Sequence, residues 1–197
     1  MYIPNEFEIT DKTIINAFID NNPFAILTSC NNGKIEVTHI PILRLSDGKL
    51  YGHVSKQNNH SCIEEKNEVC CVFSGDDAYI SPRYYESEFN VPTWNYSAVH
   101  IYGKLKYIDE KERVWSLLEK STEFFEEKNG WKLPQNDKYK ALVEFIRFFE
   151  IDVTHTEAKF KLSQNKPDKD IEKVVISLKT NNQNEMAKLM EKYKDKK

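Results

Sequence analysis

Residues 24–55 read FAILTSCNNGKIEVTHIPILRLSDGKLYGHVS, three apolar-rich runs parted by Asn31-Asn32-Gly33 and Ser46-Asp47-Gly48. Asn and Gly tolerate positive φ, so each break is a tight turn and the runs beside it are antiparallel strands. Phe24–Cys30 is expected to be a buried strand, Lys34 to about Leu45 a second, and Leu50–Ser55 a third. In the second run the odd positions Ile35, Val37, His39, Pro41, Leu43 and Leu45 share one face, which sets His39 in an apolar row. No helical pattern separates these strands. Parallel βαβ units need one, so the order points to an α+β, mainly β fold built on an antiparallel barrel with flanking helices.

Upstream, Thr10 is the expected cap of a helix with Ile14, Ile15, Phe18 and Ile19 on one stripe, ended by Pro23. Downstream, KQNNHSCIEEK (56–66) reads as a loop entering a helix. Glu68–Ser74 and Ala78–Ser81 read as two strands with Gly75-Asp76-Asp77 turning between them. A long strand opens in VPTWNYSAVHIYG (91–103) and reaches about Ile108. Asp109 and Glu112 then form a capping-box pattern for a helix with Val114, Leu117, Leu118, Phe124 and Phe125 on its stripe, ending near Gly130. A shorter helix over about 137–147 is expected to turn Leu142, Val143 and Ile146 inward. FFEIDVTHTEAKFKL (148–162) returns to strand, and residues 171–193 form one or two helices.

With 40% hydrophobic and 30% charged residues the chain has an ordinary globular balance, and at 197 residues it can bury a core without staples. The net charge of -3 supplies no general basic field for nucleic acid. The four cysteines, Cys30, Cys62, Cys70 and Cys71, show no CxxC spacing and read as buried thiols. Neither a signal-peptide pattern nor an apolar run of membrane-spanning length is present, so a cytoplasmic protein without membrane contact is expected.

Four constellations carry chemistry. On the strand 91–103 one face holds Asn95, Ser97, Val99 and Ile101, and the other holds Trp94, Tyr96, Ala98, His100 and Tyr102. The ring-bearing face suits either a flat, partly polar ligand or a sheet surface half open to water. In GHVSKQN (52–58), Ser55, Lys56 and Asn58 offer a hydroxyl, a cation and an amide at a strand end, which serve a phosphate monoester or simply a polar exit. Neither GxxxxGK[ST] nor GxGxxG occurs, which removes the nucleotide-loop readings. KFKLSQN (159–165) ends another strand in donors, with Gln164 set either to reach a ligand or to cap the next helix. Of the five histidines, His39, His53 and His100 fall on strands. They either line one pocket, bonding a ligand edge or ligating haem iron, or are satisfied separately. No zinc motif, GxSxG elbow or RNP-type strand accompanies them.

Taken in order, MYIP with Phe7, PFAIL, THIP, LYGHVSKQN, AYISPRYY, VPTWNYSAVHIYG and KFKLSQNK resemble the PaiB-type FMN-binding negative transcriptional regulators, over residue 1 to about 170. The resemblance implies a pyridoxamine-phosphate-oxidase-like split β-barrel over 1–170 with a helical tail, 171–197, packed on the same domain. It implies FMN as cofactor, a homodimer with flavin at the subunit interface, and repression of genes for sporulation and degradative enzymes. Carried over by position, Ser55, Lys56 and Asn58 hold the phosphate, Trp94, Asn95 and Tyr96 flank the isoalloxazine, and His39, His53 and His100 stand nearby, with Gln164 a further candidate. Lys56 stands where relatives carry Arg, which replaces a bidentate contact by a point charge. DNA binding follows from the resemblance alone, with neither charge nor a helix-turn-helix pattern behind it. An FMN-dependent oxidoreductase and a haem-handling protein are the alternatives on the same scaffold.

Overall fold

The computed structural model describes residues 1–31, 33–65, 67–127 and 129–194. Seven antiparallel strands form one sheet in the order β2-β1-β5-β6-β7-β4-β3. They are β1 (Phe24–Asn31), β2 (Lys34–Pro41), β3 (Leu43–Arg44), β4 (Leu50–Ser55), β5 (Glu68–Ile80), β6 (Thr93–Ile108) and β7 (Ile146–Lys161). The helices are α1 (Lys12–Asn21), α2 (Lys111–Glu126), α3 (Asp137–Lys140), α4 (Asp168–Thr180) and α5 (Asn184–Tyr193). The chain divides into two compact units. A hairpin unit comprises Pro23–Val72 and Ile101–Thr156, and a terminal unit comprises Met1–Asn22, Phe73–His100 and Glu157–Lys197. No described helix is long and apolar enough to cross a membrane.

In the hairpin unit β1 and β2 pair from Phe24↔Pro41 to Asn31↔Lys34, with Gly33 at φ +78° in the turn as expected. Asn32 of that turn lies outside the described residues, as does Lys66 of the following loop. The second expected strand stops at Pro41. Ile42 still donates its N–H to Pro23 O at 2.7 Å in the register of the hairpin, and β3 follows at Leu43. The apolar face of β2 is also the opposite of the inward one: Ile35 is 72% and Val37 56% exposed, while Ile40 is buried. Register explains it. Ala25↔Ile40 and Leu27↔Thr38 form the inward pairs, so His39 stands outward opposite Ile26. The core of this unit gathers Leu43, Tyr51, Ile108, Val114, Leu117 and Phe148. Gly52 lets β4 lie close beneath it, since a Cβ there would come within 2.8 Å of the Phe149 ring.

Several local expectations change. Residues 56–65 hold a single 3-10 turn, Asn59–Ser61, in place of an entry into helix. α2 follows Glu110 without a side-chain cap, and Phe124 and Phe125 leave its buried stripe for solvent. After α3 the chain tightens to 3-10 geometry over Ala141–Phe145 and straightens into β7 at Ile146, which leaves Leu142 exposed. Cys30 and Cys62 are exposed thiols, Cys70 is half-buried, and Cys71 alone is buried.

In the terminal unit Asp11, and not Thr10, caps α1 by accepting the Thr13 N–H at 2.8 Å. β5 runs unbroken through Gly75-Asp76-Asp77. Gly75 acts there by lacking a side chain, because a Cβ would meet the Ser97 hydroxyl and come within 2.8 Å of the Phe18 ring. α4 and α5 bury Ile171, Val174, Leu178, Met186 and Met190.

Candidate functional site

Within the hairpin unit, β4 pairs with β7 down to Ser55↔Ile146, and the next amide, Lys56 N–H, donates to Phe145 O at 3.0 Å. The loop that follows is tied at almost every step. Ser55 Oγ accepts from Gln57 N–H at 3.2 Å, and Asn58 Oδ1 accepts from His60 N–H at 2.8 Å. His60 is wholly buried, with Nε2 3.2 Å from Ser29 Oγ and Nδ1 2.9 Å from Thr38 Oγ1. Ser61 Oγ donates back to Lys56 O at 2.8 Å, Tyr107 Oη donates to His60 O at 2.8 Å, and Arg147 Nη1 donates to Ser61 O at 2.5 Å. The result is a rigid shoulder on which Ser55 and Lys56 stand exposed, as do Gln57 and Asn59.

Lys56 lines a small cleft with Lys111, Arg147, Asp109 and Glu144. Lys111 pairs with Glu144 at 2.5 Å, and Arg147 Nε lies 3.7 Å from Asp109. Lys56 makes no side-chain hydrogen bond or close ion pair among the described residues, and its charge acts at longer range on Glu144, whose pKa is lowered first by Lys111 and then by Lys56. A phosphate monoester asks for that donor set, an exposed cation beside a hydroxyl on a fixed backbone. Asn58 has a different task, since its side chain is engaged by His60 N–H and, at 3.2 Å, by Thr38 Oγ1.

The strand histidines have three different surroundings. His53 is half-buried with its ring 4.9 Å from Phe148, and it has no hydrogen-bond partner among the described residues. Burial holds its pKa below the ordinary imidazole value, so at neutral pH it offers one donor and one acceptor nitrogen. His39 is exposed on the outer face of the hairpin, 6.2 Å from the Phe24 ring. His100 belongs to the terminal unit, with Nδ1 3.8 Å from Glu157. Burial and the N-terminal ammonium lower its pKa, against the opposing pull of Glu157.

On β6 in the terminal unit the ring-bearing face is part open and part covered: Trp94 is 54% exposed and edge-on to Tyr79 at 5.9 Å, Tyr96 and His100 are half-buried, and Ala98 is buried. Lys161 Nζ donates to Trp94 O at 2.6 Å and to Thr93 Oγ1. Burial, with Lys159 and Lys166 close by, lowers the Lys161 pKa. Lys159 Nζ stands 5.4 Å from the Tyr96 ring centre and donates to Tyr2 O at 3.0 Å. Asn95 points the other way. It is fully buried, donating to Ser163 Oγ at 3.0 Å and to Met190 Sδ at 3.4 Å. Gln164 is turned onto its own strand end, accepting from Leu162 N–H at 2.7 Å and donating to Phe160 O at 2.6 Å. Arg147, Tyr107, His60 and Lys159 were not among the residues picked out from the sequence. A charged residue inside the apolar run FIRFFE was the available signal for Arg147.

The family model described as "Putative FMN-binding domain" matches residues 1–155. The Bacillus subtilis (strain 168) protein named "Protease synthase and sporulation protein PAI 2" is 34% identical over 201 residues, covering 97% of each chain. The Saccharomyces cerevisiae protein YKL070W, described as uncharacterized, is 28% identical over 171 residues, covering 73% of this chain and 99% of its own. Among solved structures, the flavocytochrome Anf3 from Azotobacter vinelandii matches with a TM-score of 0.63 at 20% identity, over 78% of this chain and 69% of its own. The FAD and heme binding protein from Mycobacterium smegmatis matches with a TM-score of 0.63 at 15% identity, over 86% and 79% respectively. At such identities the likeness speaks for the split-barrel fold alone. The fold, the motifs and a match across most of the length together make this chain a PaiB-type member of the FMN-binding domain family.

Proposed function

We propose that the chain binds FMN as a homodimer in the cytoplasm and acts as a flavin-linked negative regulator of transcription. The observation that carries the cofactor reading is the exposed Lys56 ammonium, held by no hydrogen bond, beside Ser55 on a rigid shoulder inside the matched residues. In this reading Lys56 and Ser55 take the phosphate while Asn58 shapes the loop beneath them. In the terminal unit Trp94 and Tyr96 are the candidates for the isoalloxazine, with His100 a further contact, and Asn95 and Gln164 fix strand positions; in the hairpin unit His39 and His53 are further candidates. Residues 1–170 carry the cofactor, and 171–197 pack on the same domain. Bound FMN supplies reversible electron acceptance; the chain's own groups hold, orient and shield it.

The outer face of β1 and β2 supports the dimer. Phe24, Ile35 and Val37 stand exposed there, with Ile26 beside them, an apolar surface that a second copy would cover. Regulation is assigned to flavin state and protein partners, since a net charge of -3 gives no general attraction to DNA. The test is to saturate purified protein with FMN, remove unbound ligand, denature, and identify what is released. One FMN per chain, reduced by Lys56→Ala, is expected. Release of no flavin overturns the cofactor reading, and sequence-dependent gel retardation at moderate salt overturns the assignment to partners.

A further inference from the structure

The terminal unit contains a cavity of about 390 Å³ lined by the side of α1 that carries Thr13, Ala17 and Asn21, together with β5, β6, the end of β7 and α5. That volume lies within the range of about 300–1,000 Å³ found for small-molecule sites. The residues named above for FMN do not line it.

Its floor and rim differ in chemistry. Phe18 and Phe160 meet at 5.1 Å and 48°, and Phe160 meets Tyr193 edge-on at 5.2 Å and 84°, a tilted aromatic wall. Ser97 also lines the cavity. It is 2% exposed, and its hydroxyl has no hydrogen-bond partner among the described residues. A buried hydroxyl left unpaired costs about 1–3 kcal/mol, so an orphan of this kind calls for a partner. Gly75 lets the Ser97 hydroxyl and the Phe18 ring pack directly against β5 at the cavity wall, because a Cβ there would run into both. A glycine inside a continuous strand commonly marks such a close approach.

The exposed rim carries Asp76 on β5 and Lys192 on α5. Neither has an ion-pair partner among the described residues. One carboxylate and one ammonium over an aromatic wall, with a hydroxyl below, complement a molecule with a cationic group, an anionic group and a compact apolar part. We propose that this cavity binds a free α-amino acid with an apolar side chain. Its ammonium faces Asp76, its carboxylate faces Lys192, and its side chain lies on Phe18 and Phe160.

Calorimetric titration of the FMN-saturated protein with L-phenylalanine and L-leucine tests this, with phenethylamine and 3-phenylpropionate as single-charge controls. One site per chain is expected for an amino acid, with a dissociation constant on the order of 1 mM or tighter. Each control, and each of Asp76→Asn and Lys192→Gln, should weaken binding about fivefold to tenfold, as expected for partly exposed ion pairs. Gly75→Ala should abolish it. Should Gly75→Ala fail to fold, the two rim variants carry the test, with circular dichroism and flavin content unchanged in both. No heat with any amino acid, binding indifferent to both rim variants, or a crystal structure at high amino-acid concentration showing only a water on Ser97 overturns the proposal. Because flavin content is read separately, its loss or retention does not decide the outcome.

Discussion

The guanidinium of Arg147 lies 3.6 Å from the centre of the Tyr107 ring, and each side chain also grips the loop between β4 and β5. Arg147 holds Ser61 O, and Tyr107 holds His60 O and, at 3.3 Å, Ile63 O. The pair therefore acts as a clamp that fixes the shoulder bearing Ser55 and Lys56.

Opening the clamp should loosen the cofactor more than the fold. Tyr107→Phe removes one hydroxyl donor and should cost about 1 kcal/mol of stability. Arg147→Ala removes the stacking and a charged hydrogen bond, and should cost about 2 kcal/mol with FMN affinity down roughly tenfold. Denaturant melts and flavin fluorescence titrations read the two effects. Equal FMN affinity in wild type and Arg147→Ala would show that the clamp does not organise the site.

Acid should act on stability in two steps. His53, His60 and His100 all have folded pKa values lowered, first of all by burial. Their contribution is therefore complete above the unfolded imidazole value of about 6.5 and declines as pH falls below it, because the unfolded chain takes up protons first. Glu150 and Asp170 add a lower window. Burial pushes Glu150 upward, but hydrogen bonds from Lys49 and Arg113 more than offset it; Ser87 leads the lowering at Asp170. Their contribution is lost below the ordinary carboxylate range. Urea midpoints measured from pH 8 to pH 4 should be flat above about pH 7 and then fall, and His60→Gln should flatten part of the first decline. A midpoint unchanged between pH 7 and pH 5 contradicts the histidine assignment.

Asp170 holds the segment after Tyr85 in place. Its carboxylate accepts from Glu86 N–H at 2.8 Å, Ser87 N–H at 2.9 Å and the Ser87 hydroxyl. Asp170→Ala should cost about 2 kcal/mol and raise proteolytic cutting near residues 86–90. Limited proteolysis with mass mapping checks this. An unchanged cutting pattern would mean the segment is held elsewhere.

A charge on the outer face of β2 should separate the protomers. Val37→Lys alters an exposed position, so the monomer's melting temperature should stay within about 3 °C of wild type. Light scattering should show a shift from two chains to one. A dimer that persists with Val37→Lys and Ile35→Lys together excludes that face.

The turns were legible because Gly33 and Gly48 occupy positive φ where only a few residue types are comfortable. The alternation of β2 was legible too, but not which side faces inward. A period of two carries no sign, and the pairing with Ala25 and Leu27 decides it. Gly75-Asp76-Asp77 has turn composition yet lies in a strand, because the space beside Gly75 depends on residues far away in sequence. Asn95 and Gln164 have the chemistry of ligand contacts, and their engagement inside the fold becomes visible only when Ser163, Met190 and Phe160 are placed around them.

The bond from Asn95 to the sulfur of Met190 joins the start of β6 to α5, thirty-five residues beyond the point where the family match stops at residue 155. A chain cut after that point would lose Ser163 and Met190 together and leave the amide of Asn95 without either partner. The closing helix therefore works as a keystone for β6, and peroxide would reach β6 through its methionine, since a sulfoxide at Met190 would put a bulkier polar group into the same buried contact.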